Sequence, residues 1–226
     1  MATTQHGIDF YAQFLQKGDL CFDVGANTGT RTDLFLKLGA KVLCVEPQSS
    51  CLAHLYNCFG TNENVVIVDK ALGDHEGYAQ LSICENTPTI STLSSKWKDT
   101  GRFSTSYSWN EEQQVSLTTL DALIKEYGLP KFCKIDVEGF EYYVLQGLST
   151  PIPYLSVEFT KEFFVDAKLC MDYLLTLGHP EFNCALGETL HLISSQWLSK
   201  DDLCHRLECL CQDDNLLWGD IYVKFC

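Results

Sequence analysis

The sequence predicts an α/β protein with a mainly parallel sheet covered by helices on both faces. Short apolar runs, typical of buried parallel strands, alternate along the chain with segments whose apolar residues recur at helical spacing. Several of the runs end in a glycine or an acidic residue. The 226 residues, 46% of them hydrophobic, suffice for one domain with a continuous core, residues 1–226. In such a sheet, ligands bind beyond the carboxyl ends of the strands.

The first third of the chain carries three strand and helix pairs. A helix predicted over residues 8–16 ends before Gly18, and we expect this N-terminal segment, 1–18, to cover the sheet. The strands that follow are predicted at 20–24, 41–45 and 65–68. The helices between and after them are predicted at 30–38 and 50–59.

The middle of the chain departs from this pattern. Gly77 marks a turn, and residues 79–83 alternate between apolar and polar, which predicts a half-exposed strand. Residues 86–114 are irregular, and loops of that length are usually functional, so we expect an insertion or lid at the acceptor site. Its aromatic residues either line a pocket or pin the loop onto the core: Trp97, Phe103, Tyr107 and Trp109.

Regular alternation returns after residue 114. The predicted strands are 115–117, 132–135, 155–159, 181–186, 190–193 and 220–225. The predicted helices are 120–127, 140–148, 161–177 and 200–211. Thr118, with Asp121 three residues later, resembles a capping box for the first of these helices.

A glycine-containing turn follows the first strand, in the sequence FDVGANTGT. Gly25 and Gly29 allow a tight turn, and the helix that follows offers free backbone amides at its N-terminus. A dinucleotide site would require G-x-G-x-x-G, but Asn27 stands at the second glycine. The turn therefore favours a ligand without a pyrophosphate, whose amino-acid end would bind Asp23 and the backbone amides of Ala26 and its neighbours.

The next two strand ends complete a predicted nucleoside site. Glu46, beside Pro47, comes 17 residues after Gly29, and a carboxylate there can accept both hydroxyls of a ribose. The sequence VDKALGD follows the third strand, and its residues could frame an adenine: Asp69, Lys70 and Ala71.

Carboxylates are concentrated in KIDVEGFE and in SVEF, at the ends of two later strands. Asp136, Glu138 and Glu141 surround one strand-to-helix turn, and Glu158 follows in the next strand. Acidic residues in a first helical turn also interact favourably with the helix dipole. Carboxylates grouped around a cleft shift one another's pKa, which suits a general base.

These motifs, with VEPQ and VLQGL, occur in the order seen in the FkbM family of methyltransferases, which the chain resembles from Asp19 to the fifth strand. The resemblance implies a class I, Rossmann-like methyltransferase fold with seven strands, the last antiparallel, and S-adenosylmethionine as cofactor. It implies methylation of hydroxyls in sugars or natural products, or alternatively of side-chain amide nitrogens in ribosomal peptides. Matching positions for the cofactor are Asp23, Gly25, Asn27, Gly29 and Glu46, while Asp136 and Glu138 would lie near the transferred methyl group.

The catalytic candidates are Asp136, Glu138 and Glu158, one of which would act as general base. Two of them could instead hold Mg²⁺ and lower the pKa of a hydroxyl. Two rival functions are an NAD-dependent oxidoreductase, which the missing glycine disfavours, and a binding module without activity.

The composition of the chain restricts the classes of partner that it is expected to bind. A net charge of −14 and an isoelectric point near 4.7 disfavour nucleic acid and anionic membranes, and favour a small-molecule or peptide acceptor. Without a visible signal peptide or membrane span, the 12 cysteines are expected to be reduced and the protein cytoplasmic, as a monomer or homodimer. No metal site is expected at the cluster of Cys204, His205, Cys209 and Cys211, which lacks a CxxC pair.

Overall fold

Seven strands form the main sheet of the protein in the computed structural model, which describes residues 4–225. In chain order, the ten strands of the described residues are β1 (Leu20–Val24), β2 (Lys41–Val45), β3 (Val65–Val68), β4 (Ala71–Leu72), β5 (Gly77–Ile83), β6 (Glu111–Thr118), β7 (Phe132–Ile135), β8 (Tyr154–Thr160), β9 (Pro180–Leu186) and β10 (Trp218–Phe225). The main sheet has the order β3-β2-β1-β7-β8-β10-β9. Its pairings are parallel except those of β10, which runs antiparallel to β8 and β9. The predicted α/β fold, with the last strand antiparallel, is confirmed.

Helices cover both faces of this sheet. In chain order they are α1 (Thr4–Tyr11), α2 (Thr30–Lys37), α3 (Ser49–Phe59), α4 (Ser95–Thr100), α5 (Leu120–Tyr127), α6 (Glu141–Gln146), α7 (Phe164–Leu177) and α8 (Lys200–Asp213). Alternate residues of each strand enter different cores, as Cys21 and Phe22 of β1 show. One core contains α1, α2 and α3, and the other contains α5 to α8. No helix among the described residues is both long and apolar enough to cross a membrane.

The strand order places a crevice between β1 and β7. From β1 the chain proceeds outward to β2 and β3, and it later returns to β7 on the other side of β1 before continuing to β8. This is the point at which the strand order reverses, where α/β sheets bind ligands at the carboxyl ends of their strands. The turns after β1 and β7 therefore face one another across the crevice.

A second, three-stranded sheet has the order β4-β6-β5. The strand predicted at 115–117 belongs to this sheet, and it begins earlier, at Glu111. Val115 and Leu117 pack with Leu81 and Ile83 in a small core of their own. The connection between β5 and β6 includes a turn of 3-10 helix at Pro88–Ile90 and the short helix α4, so residues 86–114 are more regular than the sequence predicted.

Three local predictions were wrong: the end of one helix, the capping residue of another and the existence of one strand. Helix α1 ends at Tyr11, because Phe14 and Leu15 reach the core through turns closed on the Tyr11 carbonyl. The cap of α5 is Thr119, whose hydroxyl accepts from the Ala122 amide, rather than Thr118. Residues 190–193 make an isolated bridge and no strand, since the φ of Leu190 is +47°.

Candidate active site

The glycine turn after β1 is held tightly against the turn after β7. A Cβ on Gly25 would lie 1.8 Å from the backbone oxygen of Asp136, and the φ of Gly25 is +76°. Glycine is therefore required there by both space and conformation. Gly29 has a different function, because its missing Cβ admits Phe59 and Leu55 of α3 against the start of α2.

Asp23 lies within β1 rather than at its tip, and its side chain is buried. Its carboxylate accepts a hydrogen bond of 2.6 Å from the Thr32 hydroxyl of α2. Burial raises the pKa of Asp23, while the Thr32 hydrogen bond and the charge of Lys134 act in the opposite direction. Thr32 thus fixes the orientation of a carboxylate that faces the crevice.

Glu46 joins the first two strand ends. Its carboxylate accepts hydrogen bonds of 2.8 Å from the backbone amides of Asn27 and Gln48, one on each oxygen. Burial raises the pKa of Glu46 to about 7 in spite of these hydrogen bonds. Each carboxylate oxygen has a further lone pair, so Glu46 can still accept ligand hydroxyls.

Three carboxylates meet at the ends of β7 and β8. One carboxylate oxygen from each of Asp136, Glu138 and Glu158 lies within 4.8 Å of the other two. Burial and the charge of Asp136 raise the pKa of both glutamates well above its ordinary value. Glu158 is hydrogen-bonded to Asp136, and this contact acts to lower the pKa of Asp136.

Lys134 provides the positive charge of this cluster. Its ammonium is buried, 2.5 Å from Asp136 and 3.8 Å from Asp220. Burial lowers the pKa of Lys134, but Asp136 and Asp220 outweigh that effect and the pKa is raised well above its ordinary value. For Asp136 burial raises the pKa, and the attraction of Lys134 more than compensates, so the pKa is lowered. The cluster thus contains an ionised aspartate beside glutamates that hold protons more strongly.

The backbone of the turn after β7 is constrained around Glu138. Glu138 has a φ of +56°, which is rare for a residue with a side chain. The Thr92 hydroxyl donates a 2.6 Å hydrogen bond to the Glu138 carbonyl, and Glu141 accepts from the amides of Val137 and Gly139. Such conformations persist where surrounding contacts hold them, and they concentrate at functional sites.

Three cavities meet at Glu138. One of about 60 Å³ lies among the ends of β1, β2 and the small sheet, and its wall includes Glu46, Pro47, Lys70 and Ala71. A second of about 620 Å³ lies over the glycine turn, beside Asp23 and Ala26. A third of about 270 Å³ lies between β8 and the segment that joins β5 to β6. Glu138 is in the wall of all three.

Aromatic residues of the segment after β5 form one wall of the third cavity. Trp97 is buried, and its ring packs against Phe103 and Phe163 with centroids 6.1 and 5.7 Å apart. Tyr107 packs on Phe103 with a centroid distance of 5.6 Å, away from the cavity. The Trp109 indole donates to the Ile90 carbonyl. The aromatic residues therefore divide, since Trp97 and Phe103 line the cavity and the other two secure the loop.

Residues 23–179 match the family described as the methyltransferase FkbM domain, and this match covers more than half of the chain. The chain belongs to the FkbM methyltransferase family. This confirms the family suggested by the sequence motifs, and the protein is a methyltransferase dependent on S-adenosylmethionine. The match includes the turns after β1, β2, β3 and β7, and all of β8.

Several solved structures are similar to this FkbM methyltransferase at low identity. A precorrin-8w decarboxylase from Methanobacterium thermoautotrophicum is 11% identical with a TM-score of 0.49, over 100% of this chain and 92% of that one. A precorrin-6y C5,15-methyltransferase from Geobacter metallireducens is 10% identical with a TM-score of 0.48, over 98% and 88%. A Streptococcus mutans protein in complex with SAH is 11% identical with a TM-score of 0.46, over 100% and 99%. No curated protein matches the sequence.

The structure brings most of the predicted residues of this FkbM methyltransferase to one edge of the sheet. The predicted residues in cavity walls are Asp23, Gly25, Ala26, Asn27, Glu46, Pro47, Lys70, Ala71, Asp136, Glu138 and Glu158. Asp69 is exposed outside these walls, and Gly29 packs against α3.

Sequence reasoning missed several residues that support the site. Thr32, Arg31 and Lys134 lie beside or within the quoted motifs, but a hydroxyl or cation next to a motif gives no separate sequence signal. Asp220 reaches the cluster because β10 pairs with β8, where it is opposite Glu158. Thr92 is separated by 46 residues from the carbonyl that it binds, so only the fold reveals the contact.

Proposed function

We propose that this methyltransferase transfers the methyl group of S-adenosylmethionine to a hydroxyl of a sugar or natural product, with Glu138 as general base. The observation that carries the proposal is the position of Glu138, at the meeting point of three cavities. Two of these cavities adjoin the strand ends expected to bind the cofactor, and the third is lined by the segment between β5 and β6.

The donor set of the crevice fits an amino-acid-bearing nucleoside. Glu46 offers carboxylate lone pairs suited to ribose hydroxyls, and Lys70 and Ala71 lie in the same cavity wall. Asp23 and Asp136 offer carboxylates that suit an ammonium and a sulfonium. The backbones of Gly25 and Asp136 approach each other so closely that no side chain fits between them. When bound, the cofactor would supply an activated methyl group.

The residues around Glu138 have separate functions in this proposal. Lys134 holds Asp136 in place and lowers its pKa, and Glu158 is hydrogen-bonded to Asp136 rather than to a ligand. The Glu138 carboxylate, once ionised, would accept the proton of the acceptor hydroxyl. The nearby walls would exclude water and align the nucleophile with the methyl group.

The cavity of about 270 Å³ supports an acceptor rich in polar groups. The indole nitrogen of Trp97 and the hydroxyl of Thr160 are buried there without hydrogen-bond partners. Leaving such groups unsatisfied is costly, so a ligand that hydrogen-bonds to them gains affinity. Arg102, on the same wall, is engaged by Glu162 at 2.6 Å and by the carbonyls of Leu216 and Leu217.

A peptide side-chain amide is the alternative acceptor. Its carbonyl would accept from the free indole N–H of Trp97, and its amide N–H would donate to Glu138. The net charge of −14 supports a neutral or basic acceptor of either kind over a nucleic acid.

The test combines product identification with one substitution. The protein is incubated with candidate sugars, natural-product hydroxyls and amide-containing peptides, together with cofactor labelled in its methyl group, and products are analysed by mass spectrometry. We expect a labelled methyl on a hydroxyl oxygen, whereas a label on an amide nitrogen would favour the alternative. Glu138→Gln should bind the cofactor in calorimetry but lose turnover by at least about 100-fold, as expected for loss of a general base.

Glu63→Gln is the matched control, since Glu63 is exposed and precedes β3 at the opposite edge of the sheet. It should leave binding and turnover unchanged. Full turnover by Glu138→Gln would remove Glu138 from the chemistry, and failure of the wild-type protein to bind the cofactor would refute the proposed function.

A further inference from the structure

Arg31 is a cation in the largest cavity near the glycine turn, and its ion-pair partner lies at the surface. The guanidinium contacts Glu188 at 2.5 Å, and the exposed fractions of the two side chains are 16% and 52%. Both residues are in the wall of the cavity of about 620 Å³, beside Asp23, Asn27 and Asp136. A half-buried cation is therefore paired with a carboxylate that water reaches easily.

Lys134, the other cation in that cavity wall, already forms ion pairs with two carboxylates. The buried ammonium of Lys134 is 2.5 Å from Asp136 and 3.8 Å from Asp220. Displacing either carboxylate from Lys134 would leave a buried charge without a partner, which is strongly unfavourable. A new carboxylate entering the cavity would accordingly be bound by Arg31 rather than by Lys134.

The position of Arg31 suits a carboxylate ligand. It is the second residue of α2, which begins directly after the glycine turn, and amides at a helix N-terminus favour negative charge. A guanidinium has five N–H donors in a planar fork, which can bind a carboxylate through two parallel hydrogen bonds. Glu188 receives its hydrogen bond from one nitrogen of the fork, Nη2.

The loop that carries Glu188 also contributes to the cover of the cavity. Thr189, its neighbour, has its carbonyl 2.8 Å from Nε2 of His6 in α1. Leu190 lies against Gly7 of α1, at 3.6 Å from where a Cβ would be. Gly7 and Leu190 are both in the cavity wall. The Arg31–Glu188 ion pair thus connects α2, on one side of the cavity, to the loop that packs against α1.

We propose that Arg31 binds the carboxylate of the cofactor's amino-acid end, and that Glu188 occupies Arg31 until that carboxylate displaces it. The inference rests on the proposed function, since it requires S-adenosylmethionine to occupy this crevice. Glu188 is 52% exposed and returns to water when it is displaced, while the incoming carboxylate replaces it as the partner of the mostly buried Arg31 guanidinium, so no buried charge is left unpaired. A carboxylate delivered by a bound ligand also remains close to Arg31, because the other contacts of the ligand hold it there.

Two ligands distinguish the carboxylate contact from the nucleoside contacts. S-adenosylhomocysteine has the amino-acid end, and 5′-methylthioadenosine keeps the nucleoside and thioether but lacks the carboxylate and the ammonium. Calorimetry on the full chain should show that Arg31→Gln weakens S-adenosylhomocysteine by about 10-fold or more, as for loss of a charged hydrogen bond. Its affinity for 5′-methylthioadenosine should equal that of the wild type.

Glu188→Gln tests the competition. Removing the competing charge should strengthen S-adenosylhomocysteine by about 2- to 5-fold, within the range of an exposed ion pair, and leave 5′-methylthioadenosine unchanged. Lys37→Gln is the matched control, because Lys37 lies on the same helix in an exposed ion pair with Asp33 at 2.5 Å. Lys37→Gln should change neither affinity, and thermal unfolding without ligand checks that each variant is folded.

The remaining outcomes all overturn one proposal or the other. Unchanged binding of S-adenosylhomocysteine by Arg31→Gln, or equal weakening of both ligands, would overturn the assignment of Arg31. Unchanged binding of S-adenosylhomocysteine by Glu188→Gln would overturn the competition, and so would weaker binding, which would show instead that Glu188 orients Arg31. If the folded wild type binds neither ligand, the proposed function fails, whatever Arg31 does.

Discussion

Replacing Gly25 by alanine tests whether the crevice depends on the close approach of two strand ends. The new Cβ would lie 1.8 Å from the backbone oxygen of Asp136, in a residue whose φ is +76°. The left-handed conformation costs about 1–2 kcal/mol for a residue with a side chain. Forcing β1 and β7 apart at a backbone atom adds about 1–3 kcal/mol, as for other overpacked sites.

The expected loss for Gly25→Ala is therefore about 2–5 kcal/mol in the free energy of unfolding, measured by urea titration. In a protein of this size, each kcal/mol of lost stability lowers the melting temperature by about 2–4 °C. Cofactor affinity should fall too, because the displaced Asp136 backbone and Gly25 itself are both in the cavity walls.

Gly18→Ala is the matched control. Gly18 has a φ of +90°, but nothing lies within 4 Å of the position of its Cβ. This variant should lose only the conformational cost of about 1–2 kcal/mol and should bind cofactor normally. Equal destabilisation by the two substitutions would refute the steric argument. Unaltered cofactor affinity in Gly25→Ala would show that cofactor binding does not depend on the close contact between Gly25 and Asp136.

Three further predictions concern the charges of the site. Lys134→Met should lower the free energy of unfolding by about 3–5 kcal/mol in urea titration, because it leaves the buried Asp220 and the partly exposed Asp136 without a counter-charge; a loss below about 1 kcal/mol would contradict this. Thr32→Val should cost about 1–3 kcal/mol by the same measurement, since the buried Asp23 loses its 2.6 Å hydrogen bond, and an unchanged midpoint would argue against that bond. Turnover with saturating substrates should rise with pH through the raised pKa of Glu138, since only the ionised carboxylate accepts a proton; a rate that is flat from pH 5 to about pH 9 would contradict Glu138 as the base.

Much of the fold could be predicted because its strands are short, apolar and buried. The bounds of β1, β2, β3 and β7 agree with those expected from the apolar runs. The small sheet could not be predicted, because the pairing of β5 with β6 spans a long connection and depends on contacts that periodicity does not describe. The same limit explains the strand predicted near Leu190, where a left-handed residue interrupts an apolar pattern.

The site was predictable to the extent that its residues follow strands. Asp136, Glu138 and Glu158 follow or end neighbouring strands, so parallel pairing brings them together. What the sequence does not reveal is which carboxylate carries a proton. That depends on Lys134 reaching Asp136, and on Asp220 arriving from a distant strand, both of which are consequences of packing.

The Thr92 hydrogen bond to the Glu138 carbonyl divides the segment between β5 and β6 into two parts, which differ in how freely their residues can change. Residues near Thr92 and Trp97 support the backbone of the turn after β7, because a Cβ on Gly139 would already lie 3.2 Å from Trp97. Tyr107, further along the segment, is exposed and packs on Phe103. The segment can therefore diverge at its distal end while its proximal anchors preserve the geometry of the carboxylates.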